Sequence, residues 1–370
     1  MCASGADHAF IGGKPAEPAA AVAEAARLLT ASRCPVIAGL GTDIAGARAA
    51  ILLAERLGAI VDHAHSDTLL RDVDVMRGAG IMITTPNEAR LRGDVLLLVG
   101  SGLIEAWPEL AGRLLTRASP EGGRKRRVLW LCPGQDMKRL AAEHADIQTI
   151  GRDSRQLPLV LAALRARIAG RVVADASIAT RLVNLVVPEL KSARFGVAVW
   201  SAAALDPLAI EMLCGIIRDL NAATRFTGLP LAPADNAMGV LQVCGWMTGF
   251  PMRTGFGRGY PEHDPWRFDA RRLVESGEAD CAVWISAYRA AAPLWQGDLP
   301  VIALTGDAAF RKTPHVHFAV GRPATDHDCV EHFPQTGTLA AATASHRSNA
   351  ASVAHVLSGI CAALPGGPPC

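Results

Sequence analysis

Two textures of hydrophobic residues alternate along the chain: short unbroken apolar runs, and longer stretches in which apolar residues recur every three or four positions. The clearest instance lies between Cys34 and Asp67. Pro35–Leu40 is an apolar run closed by Gly41, the pattern of a strand buried on both faces. From Gly46 onward, Ala49, Leu52, Leu53 and Leu57 follow helical spacing, and Gly58 suits the helix C-terminus. Ala59-Ile60-Val61 then opens another strand. This is a β-α-β unit, whose usual setting is a parallel sheet covered by helices.

The same pattern returns farther along. Phe195–Trp200 reads as a strand, Asp206–Leu220 as an amphipathic helix and Ala223–Phe226 as the next strand. Three more apolar runs follow each copy: Gly93–Gly100, Arg126–Gly134 and His144–Gly151 after the first, and Glu278–Ser286, Leu299–Asp307 and His315–Gly321 after the second. A strand order that occurs twice indicates duplication of a large unit rather than a short solenoid repeat. The expected fold class is therefore α/β, with two related Rossmann-like lobes built on mainly parallel sheets. The expected domains are an N-terminal arm and helix (1–33), a first lobe (34–169), a linking segment (170–195) and a second lobe (196–370) ending in a helix near Ala350–Leu364. Asn236–His263, rich in Gly, Met, aromatic residues and Arg, reads as a buried irregular connection, and long structured loops usually have a task.

Composition narrows the class. The 370 residues suffice for two or three domains, and half of them are hydrophobic, which excludes a disordered chain. A net charge of +2 gives no reason to expect nucleic acid. Met1–Pro18 lacks a secretory pattern, and no apolar run approaches the roughly 20 residues of a membrane span, so a cytoplasmic protein is expected. Nine cysteines without a C-x-x-C pair point to reduced thiols, with Cys34, Cys132, Cys214, Cys244 and Cys281 as core residues.

Candidate chemistry is sparse. Gly39-Leu40-Gly41 with Gly46, and Asp62 downstream, invite a dinucleotide reading, but the fingerprint wants its third glycine where Ile44 stands. A structural strand-to-helix turn is the simpler use of these glycines. His63 and His65 share one face of a strand and, with Asp62 and Asp67, have the donor types for a metal, yet no third His or Cys lies nearby. Asp326-His327-Asp328-Cys329, with Glu331 and His332, is a denser polar run that also reads as a solvated loop. Arg124-Lys125-Arg126-Arg127 is the strongest charge run, either a solvated loop or a docking site for an acidic partner or polyanionic ligand. There is no G-x-S-x-G, Walker A or H-E-x-x-H.

Taken together, these segments resemble the B subunit of formylmethanofuran dehydrogenase, in the molybdopterin oxidoreductase superfamily. The resemblance runs from about Cys34 to Thr338. It rests on Arg92–Gly102, on Gly151-Arg152-Asp153 with its following helix, and above all on Trp246-Met247-Thr248-Gly249-Phe250-Pro251 with Arg258-Gly259-Tyr260-Pro261. Four cofactor elements of that family are missing. Only Cys2 precedes Cys34, too few thiolates for an N-terminal iron–sulfur cluster. No Cys stands between Cys34 and Cys132 to ligate tungsten or molybdenum; Cys132-Pro133-Gly134 replaces an Asp-Pro-Arg turn; and Leu339–Ser345 replaces a Tyr-Arg pattern after Gly337-Thr338. The combination is similar to the B subunits of formyltransferase/hydrolase complexes of methylotrophic bacteria. That resemblance implies the molybdopterin oxidoreductase fold without its iron–sulfur domain and a cofactor-free scaffold. In such complexes formyl passes from formyl-tetrahydromethanopterin to a methanofuran-like carrier and leaves as formate. The expected partners are the A, C and D subunits, with zinc and the carrier held by those partners. Gly39, Gly41, Asp62, His63, His65 and Arg258 are the residues of an expected vestigial pocket, and Arg124–Arg127 the expected carrier or partner docking site. Two other readings remain at this point: a pterin-dependent tungsten or molybdenum enzyme, and a Rossmann-type nucleotide-binding protein.

Overall fold

The computed structural model describes residues 8–115, 126–140, 147–173, 178–293, 295, 297–306 and 309–366. Ten central strands follow one another as β1 (Pro35–Gly41), β2 (Ile60–His63), β3 (Val95–Val99), β4 (Arg127–Leu131), β5 (Ile147–Ile150), β6 (Gly196–Trp200), β7 (Phe226–Pro230), β8 (Cys281–Ser286), β9 (Val301–Thr305) and β10 (Val316–Ala319). They form two parallel cores of five strands. One has the order β2-β1-β8-β9-β10 and is extended at its edges by short antiparallel strands; the other has the order β7-β6-β3-β4-β5.

The duplication is visible in these orders, but not as two consecutive lobes. The leading strand pair of each copy joins the three trailing strands of the other copy. The lobes expected at 34–169 and 196–370 are therefore replaced by two interleaved units. The first comprises Met1–Ser66, Ala234–His332 and Leu339–Cys370, and the second Asp67–Pro233 and Phe333–Thr338. Apolar periodicity identifies a strand but not its neighbour, because any buried parallel strand presents the same ladder of N–H and C=O groups.

In the first unit, alternation along β1 and β8 sorts side chains to two faces. Ile37, Val283 and Ile285 enter a cluster with Ile51 and Leu53 of helix Ile44–Leu57 and with Leu357 and Ile360 of helix Val353–Ala363. Val36, Ala38, Ala282 and Trp284 face the other way, onto Phe268 and Leu273. Arg56 fastens the terminal helix by donating to the carbonyls of Cys361 (2.8 Å) and Leu364 (3.0 Å), where a cation suits the end of the helix dipole.

In the second unit the supposed link 170–195 holds helix Ile178–Lys191, whose Val183, Val186 and Leu190 are fully buried in the core. The second irregular expectation also fails: Asn236–His263 begins with a regular helix, Ala237–Thr248. Its apolar residues surround the axis and leave no polar face for the periodicity to reveal. Cys34, Cys132, Cys214, Cys244, Cys281 and Cys329 are free thiols; Cys361 is disulfide-bonded, against the expectation of reduced thiols throughout. Among the described residues no helix is long and apolar enough to cross a membrane.

The second unit contains a testable buried acid. Asp72 accepts a 2.8 Å hydrogen bond from the Trp200 indole, yet burial outweighs that bond and raises its pKa to about 6. A carboxyl whose folded value is raised contributes stability below its unfolded pKa, and that contribution is lost as pH rises through about 6. Asp72→Asn keeps an acceptor for the indole and removes the titration. We expect the variant to gain about 2 kcal/mol over the parent between pH 4 and pH 8 in urea unfolding. An unchanged difference across that range would refute the assignment.

Candidate functional site

The polar groups of the first unit concentrate at the C-terminal edge of its sheet. From β1 the chain crosses to β2 on one side, while β8 is followed by β9 on the other. The β1/β8 boundary is thus a topological switch point, the place where open α/β sheets put their ligands. Here the β1–β8 register shifts between Trp284 and Ser286, accommodated by positive φ at Gly39 (82°) and Leu40 (52°). A Cβ on Gly39 would lie 2.5 Å from the Ile285 carbonyl, so close packing of the two strands explains this glycine. The helix that follows is closed to anions: Asp43 caps it, its carboxylate accepting from Gly46 N–H at 2.9 Å. A side chain on Gly46 would strike Thr42 Oγ1 at 2.0 Å. The glycines that suggested a dinucleotide turn therefore serve this packing, and a carboxylate stands where a phosphate would bind.

His63 ends β2 and is buried. Its Nδ1 accepts the backbone N–H of His65 at 3.0 Å, so the proton of the neutral ring sits on Nε2, which faces the Asp235 carbonyl at 3.3 Å. Burial, helped by the neighbouring His65, lowers the His63 pKa to about 4. Next to it Arg289 clasps Asp235, with Nε 2.7 Å from Oδ1 and 2.9 Å from Oδ2. His65 completes the group: its Nε2 lies 3.0 Å from Arg289 Nη2 and 3.3 Å from Asp235 Oδ2. A guanidinium can only donate, so the neutral imidazole accepts from Arg289, and a protonated one would turn its hydrogen to Asp235. Burial would raise the Asp235 pKa, but the contacts with His65 and Arg289 outweigh it and hold the carboxyl at about 2.

Behind this group lies a second buried set. Asp62 accepts from Ala270 N–H at 3.0 Å and faces Arg253 at 3.6 Å, while Arg253 also pairs with Asp269 at 2.7 Å and donates to the Pro265 carbonyl at 2.7 Å. Burial is the main reason that the Asp62 pKa rises to about 6; one of its oxygens has no hydrogen-bond partner. Asn236 donates to the Thr42 carbonyl (2.8 Å) and accepts from His332 N–H (2.9 Å), binding helix Ala237–Thr248 to the β1 turn. Asp235 (60°), Asn236 (57°), Arg253 (62°) and Ala290 (50°) all have positive φ, like Leu40. Strained backbone of this kind persists only where its surroundings hold it in place.

The chemistry open to this arrangement is limited. The Asp235 carboxylate and the His63 Nδ1 lone pair are committed to internal partners. Burial raises the thiols of Cys244, Cys281 and Cys329 to about 11, 12 and 12, and the Tyr288 hydroxyl, which donates to Glu331 at 2.6 Å, is pushed up as well. None is an activated nucleophile. Among the described residues no three His, Cys, Asp or Glu side chains are grouped to hold a metal ion.

Of the expected pocket residues, Gly39, Gly41, Asp62, His63 and His65 belong to β1, β2 and the turns that follow them. Arg258 does not join them: it is exposed on the turn between two short edge strands and pairs with Glu262 at 3.1 Å. Asp235, Arg253 and Arg289 were missed. Each is an isolated charge in sequence: Asp235 meets Arg289 only because the segment after β8 reaches it, and Arg253 meets Asp62 only because an edge strand at Thr254 pairs with β2.

Of the expected basic docking loop, the structure removes Arg126. Arg124 and Lys125 lie outside the described residues. Arg126 is buried, donating to the carbonyls of Gly93 (2.8 Å), Leu114 (2.7 Å) and Arg90. Arg127 begins β4 and faces Glu189 at 3.6 Å. A buried guanidinium that satisfies three backbone carbonyls is structural, which a run of four cations in sequence cannot reveal. The Asp326–Cys329 run also serves structure: Asp326 accepts from Arg322 N–H at 2.7 Å, and Asp328 accepts from Ala344 N–H at 2.8 Å.

No family model matches the sequence. The B subunit of the formyltransferase/hydrolase complex Fhc of Methylorubrum extorquens is 36% identical over 322 residues, 85% of either chain. The B subunit of tungsten-containing formylmethanofuran dehydrogenase 2 of Methanocaldococcus jannaschii is 30% identical over 282 residues, 72% of this chain and 63% of that longer one. The fold superposes with a TM-score of 0.85, over 95% of this chain and 97% of the other, on a chain of the crystal structure of the formyltransferase/hydrolase complex FhcABCD from Methylorubrum extorquens in complex with methylofuran, at 36% identity.

Two measurements check this geometry. His63, with its lowered pKa, contributes stability above its unfolded value near 6.5, and that contribution is lost as pH falls towards about 4. The advantage of the parent over His63→Gln should therefore shrink by about 2 kcal/mol between about pH 7.5 and pH 5. A constant difference would exclude a neutral buried His63. Separately, Arg126→Met should cost about 3 kcal/mol in chemical unfolding, through carbonyls left unsatisfied, while Arg127→Ala should cost less than about 1 kcal/mol. Equal costs would return both residues to a solvated loop.

Proposed function

This chain belongs to the family of formyltransferase/hydrolase complex B subunits, and from that premise we propose that it is a non-catalytic scaffold of such a complex. Its partners would be the A, C and D subunits. Those partners would carry formyl from formyl-tetrahydromethanopterin to a methanofuran-like carrier and release formate, in the cytoplasm. The non-catalytic part of the reading rests on the switch-point cluster, where Arg289 and His65 occupy Asp235 and a backbone N–H occupies His63.

A pterin-bound tungsten or molybdenum centre does not fit this donor set. Thiolate ligation needs a cysteine that β2 and the turn after it lack, and the imidazoles and carboxylates present are paired with one another. The nucleotide-binding alternative is weakened by Asp43, which caps the helix end that a phosphate would need. On this reading zinc and the carrier would belong to the partners.

Co-expression with the three partner subunits of its own host tests the proposal. The expected outcome is a hetero-oligomer in native mass spectrometry, with formyl transfer and formate release only when the partners are present, and no tungsten or molybdenum bound to this chain. Activity of the chain by itself, or one of those metals in stoichiometric amount, would overturn it.

A further inference from the structure

The segment that follows β8 and the loop that joins β9 to β10 line a cavity of about 100 Å³ in the first unit. Val301 and His315 border it at the N-terminal ends of β9 and β10, the edge of the sheet opposite the Asp235 cluster. Its body is apolar: Leu299 and Pro314 are buried, and Trp295 and Phe310 present half-buried rings.

The walls are braced from outside the cavity. Trp295 meets Trp284 edge-on with centroids 5.0 Å apart, and the Trp284 indole donates to the Ala291 carbonyl at 2.6 Å. Phe310 meets His317 edge-on at 5.5 Å, and His317 in turn stacks on Phe10 at 5.6 Å. Two bonds to Val301 fix His315: its N–H donates to the Val301 carbonyl (2.9 Å), and its Nδ1 accepts the Val301 N–H (3.3 Å). Nε2 therefore carries the hydrogen of the neutral ring. Interiors close over most voids, but side-chain rotation cannot close a gap between rings braced in this way.

Cations border the mouth. Lys312 pairs with the exposed Asp298. Arg311 makes no ion pair among the described residues; Asp307, earlier in the same loop, lies outside them. A guanidinium only donates, and its planar fork matches a carboxylate. An apolar body with a few polar groups at one end is the common plan of a small-molecule site. Volume limits the guest: a cavity of about 150 Å³ admits a benzene ring, so this one calls for a smaller body.

We propose that the cavity binds a small carboxylic acid with a compact, branched hydrocarbon body. The body would lie against Trp295 and Phe310, and the carboxylate would accept from Arg311 and from His315 Nε2. This goes beyond the scaffold reading and does not depend on it.

Isovalerate, titrated into the full-length chain and followed by ligand-observed NMR, is the probe. Saturable binding is expected, with a dissociation constant on the order of 1 mM for a fragment of this size. Isovaleramide, which has the shape without the charge, should bind at least about tenfold more weakly, and so should acetate, which has the charge without the body. Arg311→Gln, at an exposed position, should weaken isovalerate at least about tenfold and leave isovaleramide unchanged, whereas Ala292→Leu should fill the cavity and abolish both. Arg48→Gln, an exposed arginine on helix Ile44–Leu57, should change neither. Absence of saturable binding, or equal binding of acid and amide, would overturn the proposal. So would an effect of Arg311→Gln no larger than that of Arg48→Gln, which would mark a general attraction of charge.

Discussion

The structure depends on one pairing, that of β1 with β8. Parallel strands gain nothing from being near in sequence, and these two come from opposite ends of the chain. Their contact is tight enough at Gly39 to exclude even a methyl group, since the Ile285 carbonyl lies 2.5 Å from where a Cβ would be. The register of the pair then shifts between Trp284 and Ser286. Arg289 after β8, His63 at the end of β2 and His65 just beyond it all meet at Asp235, the residue that joins them.

The resulting cluster is polar and paired within itself, with His63 buried, Asp235 and His65 half-buried and Arg289 exposed. Active sites keep a group poised with an unmet need: a lone pair, an open coordination position or a shifted acid. Here burial shifts His63 and Asp62, and their effects on stability partly oppose each other. Lowering the pH towards about 5 penalises the neutral His63, whereas the raised Asp62 favours the folded state in the same range. The fold retains the crevice position where ligands bind and fills it with its own side chains. That fits a protein whose contribution to a complex is shape and surface.

The exposed aromatics express the opposite tendency. Helix Ala237–Thr248 and the segment after it leave large apolar side chains in water.

The amino-acid sequence by itself determined the individual elements. Apolar runs placed nine of the ten central strands, β7 beginning at Phe226 where the expected strand ended; helical spacing placed the helices after β1 and β6, Gly58 marked a helix end, and the doubled strand order indicated a duplication. Short motifs carried the family, and the missing thiolates carried the expectation of a scaffold. Tertiary structure decided which strands are neighbours and which charges meet. Periodicity reports only which face of an element is dry, because that is a local balance between side chain and water. Partner choice is a global comparison among equally apolar edges, so the two lobes emerged interleaved, the link 170–195 became a core helix, and Arg126 went from a docking charge to a buried clamp. For the same reason Asp235, Arg253 and Arg289 stayed silent in the sequence: an isolated charge acquires a role only when the fold brings its counter-charge within about 3 Å.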